Sequence, residues 1–315
     1  MRNRTSLHLD QALNVDAAQS MFIERQLEYV EAEILRQPYP DLLARQLVPV
    51  SHRANAGAET ISYRTYDRVG VAQRIKSYAD NIVRADVSAK EDRVPIHGYG
   101  IGYGYSNQEM RAAAFAGTPL DSEKALAARQ GFELRVDMIG ASGNGEGLYG
   151  LLNLPNANVY TVPADGTGSS ALWTAKSAAL ILRDMNGLSG KSISLTNGIE
   201  RPDTLVLPLD QYTLIATTPW ATTASDTTIL EFFLKNSPWV KSVIPWYRCK
   251  AAGSGSTDRM VAYRRDPSKL RLEIPMEYQL NQPQLRNYGV EVPGEGRVAG
   301  VICPFPMSVT YGDGI

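Results

Sequence analysis

Apolar positions in the first third of the chain fall into two rhythms. Ile23, Leu27, Val30 and Ile34 recur at i, i+4, i+7 and i+11, the spacing of one helix stripe. The spacing predicts a helix over 17–36, with Asp16 as N-cap, Gln19 three positions on, and Pro38 and Pro40 ending it. Glu24, Glu28 and Glu31 form a second stripe, either a solvated face or an acidic contact surface. From Glu59 the rhythm changes: Ile61, Tyr63 and Thr65 alternate with Ser62, Arg64 and Tyr66, the period of a strand. A second strand is predicted over about 81–96. Together they make a long hairpin with few large apolar residues. Seven Lys/Arg and six Asp/Glu lie within 59–96.

Helical spacing returns after HGYGIGYGYS (97–106). Ser106 and Glu109 are spaced as a capping box, and Thr118-Pro119 can open a second segment after Gly117. Leu120, Ala127, Gly131, Leu134 and Met138 suggest one apolar stripe. If the interruption only kinks it, a helix over 106–138 would be about 50 Å long, a spine for the fold. Glycines 140–147 break the pattern. Beyond them a helix is expected at about 169–186, a strand-like run at 204–216, a helix ILEFFLKN capped by Asp226, and strands near 240–249, 259–265 and 270–280. The order is α+β, without βαβ alternation or internal repeat.

Composition narrows the function. The 315 residues carry 32 Lys+Arg against 33 Asp+Glu, a net charge of −1. That balance argues against a dedicated nucleic-acid or membrane-surface binder. The first twenty residues lack an apolar signal core, and no run approaches 18 apolar residues. Cys249 and Cys303, 54 positions apart, are expected to be reduced core thiols. His8, His52 and His97 show no metal-ligand spacing.

The motif search is mostly negative. Gly98, Gly100, Gly102 and Gly104 have the wrong spacing for a dinucleotide loop, and turn or hinge use is expected of them and of 140–147. NGLSGKS (186–192) ends like a phosphate-binding loop but has Met185 where the first glycine belongs, and SISL after it reads as a strand. Gly140-Ala141-Ser142-Gly143-Asn144 is not a nucleophile elbow. Arg259, Arg264, Arg265, Lys269 and Arg271, against Asp258 and Asp266, are either a phosphate-facing cluster or a strand face paired with acids. No catalytic, cofactor-binding or metal-binding residue is expected.

Four phrases carry a resemblance: YGYSNQEMRAAAFAGTPLDSEKALAARQGFE (103–133), GLYGLLN (147–153), ILEFFLKNSPWVKSVIPW (229–246) and RVAGVICPFPMSVTYGDGI (297–315). Their order resembles the major capsid proteins of tailed bacteriophages with the Hong Kong ninety-seven, encapsulin-like fold, in a prophage-encoded group. The resemblance implies an N-arm and N-terminal helix in 1–54 and an extended E-loop hairpin in 55–96, lying across a neighbouring subunit. It implies a peripheral domain with a long spine helix in 97–155, completed by the return strands and C-terminus of 255–315. An axial domain would occupy 156–254.

The implied function is an icosahedral shell built from hexamers and pentamers around double-stranded DNA, assembled in the bacterial host cytoplasm. Its partners would be other copies of itself, a separate scaffolding protein if one is used, portal and decoration proteins, and non-specifically contacted DNA, with no membrane. The short stretch before the first helix leads us to expect no cleaved scaffolding segment. Subunit-contact candidates are Arg64, Asp67, Arg68, Arg74, Lys76, Asp80, Arg84, Asp86 and Lys90 on the hairpin, with Glu24, Glu28 and Glu31. Some relatives crosslink a hairpin lysine; Lys76 and Lys90 lie in that region, but nothing identifies an acceptor. The rival readings are an encapsulin-type compartment holding a cargo enzyme, and a soluble enzyme using His97 and nearby carboxylates.

Overall fold

A computed structural model describes residues 39–72, 74, 84–116, 120–221 and 227–315. Residues 42–315 form one unit, which contains every strand and helix of the described residues. The helix predicted over 17–36 with Glu24, Glu28 and Glu31, the hairpin residues Lys76 and Asp80, the Thr118-Pro119 cap and Asp226 all lie outside the described residues.

The centre is a five-stranded sheet in the order Asn158–Thr161, Val309–Asp313, Arg259–Tyr263, Thr204–Leu207 and Ser242–Pro245. Its outer pairs are parallel and its inner pairs antiparallel. Successive side chains on a strand point to opposite faces. Leu205, Leu207, Met260 and Ala262 therefore pack on one side, against Ile181, Met185, Leu188, Ile215 and Phe233 of three helices. Val206, Val261, Tyr263, Val309 and Tyr311 pack on the other, with Phe132, Val136 and Ile139 of a long helix. With both faces covered, Thr204–Leu207 is buried at every position, and Leu205, Val206 and Leu207 read in sequence as an unbroken apolar run.

The long helix comes in two pieces, Asn107–Ala116 and Leu120–Ser142. The capping box opens the first: Glu109 N–H donates to Ser106 Oγ at 3.1 Å and Ser106 N–H to Glu109 Oε2 at 3.0 Å. The second has 23 residues, about 35 Å. Its buried stripe is not the expected one. Ala128, Phe132, Val136, Ile139 and Gly140 face inward, while Ala127, Leu134 and Met138 lie on the exposed side. This helix is apolar on more than one face, and the stripe with the larger ring, Phe132, took the core. Gly140 has a packing reason: a Cβ there would stand 2.7 Å from Ala44 Cβ, so only glycine lets the short helix Ala44–Leu47 approach.

That approach is fixed by charge. The buried Asp137 carboxylate accepts from Ala44 N–H at 2.9 Å and pairs with Arg248. Arg45 bridges Glu133 and Glu277, each at 2.8 Å. These two carboxylates, Glu277 most strongly, hold the Arg45 guanidinium above its ordinary pKa. Past the long helix, the Tyr311 hydroxyl donates to Leu151 C=O at 2.7 Å and accepts from Leu154 N–H at 2.9 Å. Arg259 grips Asp313 with two nitrogens, at 2.7 and 2.8 Å, lies on the Tyr311 ring, and donates to Leu152 C=O.

Four local expectations are corrected. The helix expected at 169–186 runs Ala178–Leu195, preceded by a single turn at Trp173–Ala175. NGLSGKS is thus helix interior and SISL its last turn, because Gly187 lets the helix pass over Tyr160, whose hydroxyl would lie 2.5 Å from a Cβ. The run at 204–216 is a strand only to Leu207. Pro208 ends the ladder and opens the helix Leu209–Thr217, with Asp210 in its favourable first turn. Helix Ile229–Asn236 is capped by Thr228, which forms a capping box with Glu231. Finally, HGYGIGYGYS folds as two strands, His97–Gly100 and Tyr103–Ser106, paired with Gly294–Val298 and Gly289–Val292. The glycines suit close pairing: a Cβ at Gly102 would lie 2.6 Å from Val292 O. The turn reading does fit Gly143, Gly145 and Gly147, all with positive φ.

Candidate functional site

The hairpin is the element that the body leaves uncovered. Strands Thr60–Val69 and Asp86–Pro95 pair antiparallel from Thr60↔Pro95 to Val69↔Asp86, without a bulge. Ten residues per strand give a ribbon about 34 Å long. Its root is apolar: Ile61, Tyr63, Val94 and Ile96 pack into the core beneath. Beyond the root that packing stops. Tyr66 is 62% exposed, Val69 60%, Val71 82% and Val87 57%. A two-stranded ribbon is marginal alone in water, so the distal half needs either cross-strand bonds or a cover.

The register decides which charges meet. Arg64 sits opposite Glu91 and pairs with it at 3.0 Å, and Arg93 reaches the same carboxylate at 3.4 Å. The Arg64 hydrogen bond and charge hold Glu91 below the usual carboxylate range, and Glu91 in turn raises Arg64. Lys90 pairs with Asp92 along its own strand at 3.0 Å. Asp86 accepts from Val87 N–H at 2.8 Å. Asp67, Arg68, Arg74 and Arg84 make no ion pair among the described residues. So Arg64 and Lys90 are engaged within the hairpin, and four other contact candidates have no charged partner among the described residues.

The two faces differ. Ile61, Tyr63, Thr65 and Asp67 turn toward the body with their partners Val94, Asp92, Lys90 and Ser88. Between this inner face and Tyr149, Leu154, Cys303 and Pro306 lies an open cleft of about 740 Å³. The outer face carries Arg64, Tyr66, Arg68, Val87 and Glu91.

The long helix adds a second uncovered surface, with Leu126, Leu134 and Met138 all at least 40% exposed. The stripe read from the sequence held Leu134 and Met138 but neither Leu126 nor the orientation, since two stripes competed for the core.

The basic cluster divides. Arg259 is taken by Asp313, Lys269 by Glu200 at 2.5 Å, and Arg271 by Glu273 at 3.3 Å, each on a largely buried pair. Arg264 lies 3.6 Å from Asp266, and Arg265 is exposed without an ion pair among the described residues.

Among the described residues, Glu146 is the one carboxylate at ion-pair distance from His97. The histidine sits on a strand with Nδ1 3.5 Å from the exposed Glu146 carboxylate. Among the described residues no three His, Cys, Asp or Glu cluster as metal ligands, and no helix is long and apolar enough to cross a membrane. Both cysteines are free; burial pushes the Cys303 thiol up to about 11 and Cys249 higher still.

Comparison with known proteins matches this geometry to shells. The structure superposes on the capsid of Myoviridae phage XM1 with a TM-score of 0.78, at 19% identity, covering 92% of this chain and 98% of that one. It is similar to the capsid of a native GTA particle, with a TM-score of 0.63 at 12% identity over 91% and 95% of the two chains. The virus-like particle from Pyrococcus furiosus gives 0.53, at 13% identity, over 85% and 91%. These likenesses establish the α+β Hong Kong ninety-seven-type fold. No curated protein matches the sequence. The family model for major capsid proteins matches residues 70–315, more than three quarters of the chain. The chain therefore belongs to the major capsid protein family, as a shell-forming, self-assembling component of a virion capsid.

Proposed function

We propose that the chain assembles through hexamers and pentamers into an icosahedral shell enclosing double-stranded DNA, and that the 55–96 hairpin is the E-loop that binds each subunit to its neighbour. The observation that carries this reading is the hairpin itself. It is rooted by Ile61, Tyr63, Val94 and Ile96, yet exposes apolar residues along its distal half, where Asp67, Arg68, Arg74 and Arg84 make no ion pair among the described residues. Such a surface is costly for a free monomer and complementary to a partner of mixed charge. Charges of both signs orient a contact more than they strengthen it, which suits one interface used in both rings. Repeated head-to-tail contacts that close on rotation build rings.

On this reading residues 97–155 with 255–315 are the peripheral domain, 156–254 the axial domain, and the long helix the spine. The exposed Leu126, Leu134 and Met138 stripe is a further subunit contact. Assembly takes place in the bacterial host cytoplasm, with portal, decoration and scaffolding proteins as additional partners. The chain acts by containment, with no catalytic step of its own. The family match to major capsid proteins over residues 70–315 and the likeness to the capsid of phage XM1 support the reading as a phage shell.

Deleting residues 64–90 tests the hairpin's part, because Ile61, Tyr63, Val94 and Ile96 remain. The expected product is a folded subunit by circular dichroism that light scattering and electron microscopy find unable to form stable shells. Normal shells from this deletion would refute the assignment.

A further inference from the structure

One end of the central sheet gathers cations that are distant in sequence. Thr204 lies between Tyr263 and Ser242 in the ladder, so the segments just outside these positions are neighbours. Asp203 ties them together. Its carbonyl accepts from Lys241 N–H at 2.8 Å, its N–H donates to Tyr263 C=O at 3.1 Å, and its carboxylate accepts from Arg265 N–H at 2.8 Å. Arg201, two residues earlier, lies over the Trp239 ring, 4.4 Å from its centroid.

The acids at this end are mostly engaged. Glu200 is buried and held by Lys269, Asp266 accepts from Ser268, and Asp203 accepts from Arg265 N–H and the Thr204 hydroxyl. Arg201, Lys241 and Arg265 are exposed and have no carboxylate at ion-pair distance among the described residues; Arg264 stands beside them, 3.6 Å from Asp266.

We propose that this end of the sheet is a docking site for the phosphate backbone of duplex DNA. Neighbouring strands are about 4.8 Å apart, so cations on strands either side of Thr204 span roughly 10 Å. Duplex DNA carries one charge per about 1.7 Å of axis, which places several phosphates across that span. Backbone contact fits better than base stacking. The Trp239 face beneath Arg201 is already covered by a guanidinium, so the indole serves to hold that cation in place. Nothing here reads a base, and contact is sequence-independent. The inference rests on the reading of the chain as a shell around DNA and names the surface that the DNA would touch.

The test is fluorescence anisotropy of a short labelled DNA duplex against the unassembled subunit, over a series of NaCl concentrations. Affinity should fall with salt, and Lys241→Gln/Arg265→Gln should flatten the log–log slope by about 2 and weaken low-salt binding by roughly tenfold or more. Arg201→Gln alone should flatten it by about 1, which keeps the test open should the double variant misfold. Arg286→Gln, on a distant peripheral strand, should bind as wild type. The proposal is overturned if the wild-type subunit does not bind the duplex, or if these variants keep the wild-type slope. It is equally overturned if the double variant binds DNA normally but loses assembly, since the patch would then face another subunit. Light scattering of the wild type reads the shell hypothesis separately: wild-type shells with unchanged DNA binding by the variants would sink this inference alone.

Discussion

The central sheet and the hairpin are both β-structure, and they are stabilised in opposite ways. The sheet buries both faces, so Leu205 and Val206, adjacent in sequence, are each fully covered from opposite sides. The hairpin buries only its root, and its strands are exposed at most positions. Where the sheet takes its order from packing, the hairpin takes its from register and cross-strand charge. On the proposed assembly, a subunit divided this way would keep its own fold in one region and reserve the other for contact with a neighbour.

The largest test of the contrast lies beside the sheet. Lys176 and Asp184 pair at 2.6 Å with both side chains fully buried, and Arg183 and Asp165 complete the network. Removing one member of a buried pair strands the other charge. Asp184→Ala should lower subunit stability by about 3–5 kcal/mol in denaturant melts. A loss below about 1 kcal/mol would mean that this region does not depend on its interior.

The hairpin should respond otherwise. Tyr66→Ser with Val87→Ser should leave the free subunit's stability within about 0.5 kcal/mol per site, as surface changes do. Shell yield by light scattering should fall. Equal stability with an undiminished yield would remove these residues from the contact.

The smallest effect concerns pH. Glu91 is held below its ordinary range by Arg64, so its contribution to hairpin order is present above the unfolded carboxylate's range and is lost as pH falls through the lowered value. Protection of the strand amides, taken relative to their intrinsic exchange at each pH, should therefore fall only in the acid range, and Glu91→Gln should abolish that pH step. A step near neutral pH would point to another group.

The hairpin and the capping box were legible in the sequence because each is local. Period-2 alternation over 61–66 and the Ser106…Glu109 spacing determine their structures without reference to distant residues. What misled was burial from both sides. The strand at the start of the 204–216 run is buried on both faces and so lacks period-2 alternation, which leaves Pro208 to mark where strand gives way to helix. The long helix offers two apolar stripes, and which one faces inward depends on Phe132 meeting residues far away in sequence. The cations at the end of the sheet come from three separate segments. Arg264 and Arg265 were visible as part of a cluster, but Arg201 and Lys241 join them only through the ladder.

The Tyr311 hydroxyl and the Arg259 guanidinium together hold Leu151, Leu152 and Leu154, the turn that leaves the long helix. This makes a welded joint. Force entering along the helix passes into the strands at 259–263 and 309–313 without pivoting, because any rotation there must break buried bonds. Curvature has to change from ring to ring in a closed shell, so the give must lie elsewhere. Among the described residues the hairpin beyond its root has no comparable brace, so on the proposed assembly it is where one subunit shape would meet neighbours at more than one angle.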